Sequence, residues 1–159
     1  MQEGKRHFLS STLMGKEEAK KINQLLQCLL DSSDSYDFRT PVDYVGLRLV
    51  DYPLIVKKPM DLGTVKKYLN SNSYETVEDC LSDIQLIWDN CKLYNTPDFV
   101  SFYLMQWIYK LAEKLEKMTK KMIKNYVPFV VFDGTTEKKK GPPKKEAPAK
   151  KVNLPTPPP

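Results

Sequence analysis

Four stretches of the chain carry apolar residues at the three-and-four spacing of an α-helix, and each needs a partner to cover its apolar stripe. From Lys16 to Leu30 the stripe is Ala19, Ile22, Leu25, Leu26 and Leu29, with Lys and Glu between. In "MDLGTVKKYLN" Asp61 is placed to cap a short helix whose Leu62, Val65 and Leu69 share a face. Thr76 with Asp79 resembles a capping box, ahead of a stripe of Val77, Cys80, Leu81, Ile84, Ile87, Trp88 and Cys91 that ends near Tyr94. After Pro97 a long fourth helix is expected to bury Val100, Leu104, Trp107, Leu111, Leu115, Met118 and Met122. Its other faces hold Lys110, Lys114, Lys117, Lys120, Lys121 and Lys124, which read most simply as a solvated basic surface. Four single-stripe helices predict an all-α chain folded as a four-helix bundle.

One segment resists a plain bundle. Residues 32 to 60 form a connection without periodicity, yet "YDFRTPVDYVGLRLVDYPLIVKKPMD" is too apolar to stay in solvent. Structureless connections of that length inside a compact domain are usually functional or disordered, and this composition favours function. Pro41, Pro53 and Pro59 stiffen it, which lowers the entropy lost when it is held in one irregular shape. A stiff apolar loop laid against helix ends makes one wall of a cleft, and small-molecule sites between helices have that character.

Charge sorts the chain into a neutral body and a basic tail. The formal net charge is +5, but residues 138 to 159 hold seven Lys and one Glu, leaving 18 basic and 19 acidic side chains in the first 137 residues. The expected organisation is a flexible segment over 1–15, a helical domain over 16–126, an apolar extension over 127–136 that packs on the bundle or is disordered, and a disordered Lys/Pro-rich tail over 137–159. Three cysteines, Cys28, Cys80 and Cys91, form no CxxC pair and fit a reducing compartment; Cys28 and Cys80 read as small core residues. No apolar run is long enough to cross a membrane, and no membrane partner is expected.

Catalytic parts are scarce. His7 is the only histidine, Cys91 lacks a partner base, and the scattered glycines form no phosphate-binding loop. Glu78 and Asp79 fall in a first helical turn, where the helix dipole accounts for them. The chain therefore reads as a non-enzyme with no cofactor and no metal site. The notable polar group is Asn95, at the end of the third helix in "IWDNCKLYNTPD". Spacing alone reads it first as a helix or turn cap. The alternative is a neutral NH2 donor for the carbonyl oxygen of a ligand in the apolar cleft.

The runs "PVDYVGLRLVDYP", "IVKKPMDLGTVKKYL" and "DNCKLYN" resemble, in order and separation, the loop, second helix and third-helix end of the bromodomains, the acetyl-lysine readers. The resemblance covers roughly residues 16 to 124. It implies a left-handed bundle of helices Z, A, B and C with a long ZA loop and a short BC loop. It further implies that Asn95 donates its NH2 to the acetyl carbonyl and that Tyr52 reaches the same oxygen through an ordered water. Val42, Leu47 and Leu49 would line the ZA wall, Phe38 and Cys91 the end that holds the methyl, and Tyr94 the BC side. The gatekeeping position falls at Val100, with Ser101 the other reading. Asn90 is expected to be a helix-end hydrogen bonder rather than a ligand contact. Many members have a Trp-Pro-Phe shelf where this chain has Tyr36-Asp37-Phe38, and Pro53 replaces a common second tyrosine.

By the same resemblance the partners are acetylated histone tails and subunits of a chromatin complex. The module would be nuclear and monomeric, with weak DNA contact through the Lys-rich tail and an acidic rim from Asp43, Asp51 and Asp98. The competing reading is a nucleic-acid-binding or scaffold protein that uses the Lys-rich tail and the basic face of the fourth helix, its bundle making protein contacts without binding acetyl-lysine.

Overall fold

The computed structural model of the chain describes residues 11–96 and 102–131, with side chains placed from residue 106 onward in the second stretch. It contains α1 (Lys16–Asp31), a 3-10 helix (Ser33–Phe38), α2 (Tyr52–Ile55), α3 (Leu62–Asn70), α4 (Val77–Tyr94) and α5 (Phe102–Tyr126). The four longer helices form a ring in which α1 packs on α3 and α5, and α4 packs on the same two. Among the described residues there is no strand, only an isolated bridge between Leu13 and Thr76.

The helix starts lie where the sequence places them. The Asp61 carboxylate accepts the Thr64 N–H at 3.0 Å, and the Thr76 hydroxyl accepts the Asp79 N–H at 3.1 Å, each satisfying a donor that the helix itself cannot pair. Such caps are worth about 1 kcal/mol apiece. At the far end of α3, Asn72 turns left-handed at φ 54°, where an asparagine is tolerated, and the Ser73 N–H returns to the Tyr68 carbonyl at 2.9 Å.

The core joins the stripes of all four helices. Ile22, Leu25, Leu26 and Leu29 of α1 meet Leu62, Val65 and Leu69 of α3, and Leu81, Ile84 and Trp88 of α4. On α5 the inward face is Ala112, Leu115, Thr119, Met122 and Ile123. Trp107 departs from the expectation that it joins this stripe, being 55% exposed. Its 3.6-residue phase sets it at the margin of a face centred on Leu115 and Thr119, so its apolar character misleads. Cys80 is fully buried, whereas Cys28 is half-buried with its sulfur 3.5 Å from the Tyr126 hydroxyl.

Both ends of the domain are tied down. Thr12 and Met14, within the segment expected to be flexible, bond to the start of α4 and the turn before it. Thr12 N–H donates to the Glu78 carboxylate at 2.9 Å, and its carbonyl accepts from Val77 N–H at 2.8 Å. Met14 N–H donates to the Glu75 carbonyl at 2.9 Å. After α5 the chain turns, and Val127 and Val130 enter the core while Phe129 stays half-exposed under the Lys21 ammonium. Residues 132–136 of the expected extension and the tail beyond them lie outside the described residues.

Candidate functional site

The long connection between α1 and α3 is not featureless. It opens with the 3-10 helix, which carries Phe38 into the core edge-on to Trp88 at 5.3 Å. Arg39 locks that turn, its Nη2 donating to the Ser32 carbonyl at 2.8 Å and its Nε to the Ser35 hydroxyl at 3.2 Å. The Arg39 carbonyl accepts the Gly63 N–H at 3.0 Å, fastening the loop to the first turn of α3. The glycine is required there, because a Cβ at residue 63 would lie 2.6 Å from that oxygen. In the middle, Asp43 to Leu49 form one helical turn closed by Arg48 at φ 57°, with Leu49 N–H reaching the Tyr44 carbonyl at 2.8 Å.

The end of the loop is pinned by α4. The buried Asp83 carboxylate takes the Lys58 ammonium at 2.8 Å and the Tyr74 hydroxyl at 2.8 Å. Two turns further along the same face, Asn90 Nδ2 donates to the Lys58 carbonyl at 2.8 Å. Lys58 is thus held through both its side chain and its backbone. Asn90 is a hydrogen bonder to the loop, in line with its expected structural role. Asp83 was missed by sequence reasoning; the available signal was an acid seven residues before Asn90, within an apolar helix face.

Between the pinned ends, α2 presents Tyr52, which is 6% exposed. Its ring stacks on Tyr44 at 5.7 Å and meets Tyr94 edge-on at 4.9 Å. The Tyr94 hydroxyl donates to Asp51 Oδ1 at 2.6 Å, closing the loop onto the end of α4. Burial raises the Tyr52 phenol above its ordinary value, and the adjacent Cys91 adds to the shift. The Cys91 thiol is pushed up to about 11 by burial, against opposing pulls from the Asn95 hydrogen bond and Lys92, so it is neutral at physiological pH. The result is a patch of tyrosines and a neutral thiol, with the Asp51 carboxylate held at one edge by Tyr94 and the Asn95 amide at the end of α4.

Asn95 is the C-cap of α4 and is half-buried. Its Nδ2 donates to the Cys91 carbonyl at 2.8 Å and sits 3.6 Å from the Cys91 sulfur. The capping role suggested by spacing is therefore present. Beyond the carbonyl its Nδ2 meets only the weak sulfur acceptor, and its carbonyl oxygen accepts no hydrogen bond among the described residues.

The remaining predicted site residues divide into two groups. Val42 and Leu47 are 37% and 64% exposed, and Leu49 is half-buried beside them. Phe38 is a core residue whose position under the site depends on Trp88. Tyr36 of the altered shelf is exposed, with the Arg39 guanidinium 5.7 Å from its ring centre. Of the acidic rim, Asp51 is engaged by Tyr94 and Asp43 accepts the Gly46 N–H at 2.9 Å. Val100, Ser101 and Asp98 lie outside the described residues.

Comparison with known proteins identifies the family. The bromodomain family model matches residues 22–106, which takes in the loop, Tyr52, Asn90 and Asn95. A curated bromodomain-containing protein of Schizosaccharomyces pombe is 43% identical over 82 residues, covering 52% of this chain and 11% of that relative's own length. By that match and by its helical bundle, the chain belongs to the bromodomain family of acetyl-lysine reader modules.

Proposed function

We propose that this domain binds N-acetyl-lysine on histone tails and thereby tethers a chromatin-associated assembly in the nucleus, without catalysing a reaction. The observation that carries the reading is Asn95, whose cap to the Cys91 carbonyl leaves amide capacity spare beside an uncharged cluster of Tyr52, Tyr94 and Cys91. In this reading the spare Nδ2 hydrogen pairs the acetyl oxygen. The Tyr52 hydroxyl, which has no partner among the described residues, reaches the same oxygen through a water. Val42, Leu47 and Leu49 cover the aliphatic stem, Phe38 and Cys91 close the methyl end, and Val100 guards the mouth.

Acetylation removes the ammonium charge, so a neutral slot accepts the modified side chain. The unmodified ammonium would leave water with only the Asp51 carboxylate, already engaged by Tyr94, as a nearby counter-charge, and so would bind less well. The test is Asn95→Ala titrated with an acetylated histone peptide. Loss of one ligand hydrogen bond, with a donor site left dry, costs about 1–3 kcal/mol, or roughly 5- to 150-fold in affinity. Because the substitution also removes the cap, unchanged helical circular dichroism is needed alongside. Undiminished binding by a folded variant would show that the site is not used in this way.

A further inference from the structure

Away from the candidate site, the outer face of α5 carries a row of cations. Lys110, Lys114, Lys117, Lys121 and Lys124 are all exposed, and their spacings of four, three, four and three residues set them in one line along the helix. At 1.5 Å per residue the line runs about 21 Å, the axial length of about six successive phosphates on one strand of a duplex. Only Lys114 has a partner among the described residues, an ion pair with Asp34 at 2.6 Å. Of the two acids of this helix, Glu113 borders the line between Lys110 and Lys117, and Glu116 lies further round, engaged by Lys92 and Lys120.

A merely solvated face would alternate charge at this spacing, because like charges three and four residues apart destabilise a helix. The line keeps five of them together in a body whose first 137 residues hold 18 basic and 19 acidic side chains in all. We propose that this face docks on the backbone of duplex DNA. An anionic membrane surface fits less well, because an interfacial helix needs a free apolar face and that of α5 is used up on the core through Leu115, Met122 and Ile123. Single-stranded nucleic acid is bound by stacking on aromatic rings, and no aromatic residue occurs between Lys110 and Lys124. A straight row of ammonium groups without base-reading side chains suits sequence-independent phosphate contact. The helix that carries this face packs along α4, whose end carries Asn95. The proposal is independent of what the pocket binds.

The experiment uses the full chain with its seven tail lysines (Lys138, Lys139, Lys140, Lys144, Lys145, Lys150 and Lys151) changed to Gln, so that the tail contributes no cations. In that background Lys110, Lys117, Lys121 and Lys124 are also changed to Gln, and binding of a short DNA duplex is followed by fluorescence anisotropy from about 50 to about 200 mM salt. Four lost phosphate contacts flatten the slope of log K against log salt by about 3–4. Over that range the affinity of the chain with its α5 lysines intact falls about 100-fold further than that of the variant. Thermal melting of the variant is expected to be unchanged or improved, since like charges have been removed. Equal slopes, no duplex binding with the α5 lysines intact, or binding of phosphatidylserine vesicles in place of duplex would each overturn the proposal.

Discussion

Replacing Gly63 with alanine tests the close approach that fastens the loop to α3, because two opposing effects predict opposite signs. In an open helix the exchange is favourable by up to about 1 kcal/mol. Here the new Cβ meets the Arg39 carbonyl oxygen at 2.6 Å and Asp61 Oδ2 at 3.1 Å, so the backbone must retreat to the 3.4 Å of ordinary contact. That retreat stretches the 3.0 Å hydrogen bond from Gly63 N–H to the same oxygen. It also disturbs a turn locked by Arg39 and an N-cap made by Asp61. Crowding of this kind costs about 1–3 kcal/mol, and the propensity gain offsets only part of it. The expected result is a net loss of about 1–2 kcal/mol, read as a lower urea midpoint at constant m-value. The acetyl-peptide affinity should fall with it, because the loop that carries Tyr52 is anchored there. A variant as stable as the parent, or more stable, would refute the steric reasoning.

Two other substitutions address the remaining anchors. Asp83→Ala removes the acceptor of the Tyr74 hydroxyl and the counter-ion of the Lys58 ammonium; with Lys58 half-exposed and able to re-solvate, the expected cost is about 2–3 kcal/mol, seen as a drop in melting temperature of roughly 10–20 °C. Tyr94→Phe removes the clasp on Asp51 and should cost about 1–2 kcal/mol. Burial first, and the Asp51 bond second, push the Tyr94 phenol to about 12. Since this lies above the ordinary value near about 10, the stabilisation is complete below that pH and is lost as pH rises through 12. The unfolding free energies of parent and Tyr94→Phe should therefore converge at the alkaline end.

The four long helices were legible because each spans several turns, enough for a 3.6-residue period to emerge from composition. The caps at Asp61 and Thr76 were legible for a different reason: a short polar side chain before an apolar run has few other uses. The 3-10 helix at Ser33–Phe38 and the single turn at Tyr52–Ile55 are shorter than any readable period, so the connection was expected to be irregular throughout. Trp107 shows the limit of the stripe itself, since periodicity assigns a face only to within a helix margin and large apolar residues at the margin remain exposed.

At the site, residue types were readable and their couplings were not. Asn95 invited two readings from sequence, cap or donor; the geometry makes it a cap with donor capacity to spare, so the two are compatible. The clasp between Tyr94 and Asp51 and the double hold on Lys58 join residues 25 to 43 positions apart. Nothing local in the sequence announces pairings at that separation.

Titration of one histone peptide in acetylated and unmodified forms, under identical buffer and salt, tests the central claim most directly. Desolvating an ammonium where the one nearby carboxylate, Asp51, is already engaged by Tyr94 predicts that the acetylated form binds at least about 30-fold more tightly, a difference of about 2 kcal/mol or more. Equal affinity for the two forms would contradict the assignment of Asn95 and the tyrosine cluster as an acetyl-lysine site.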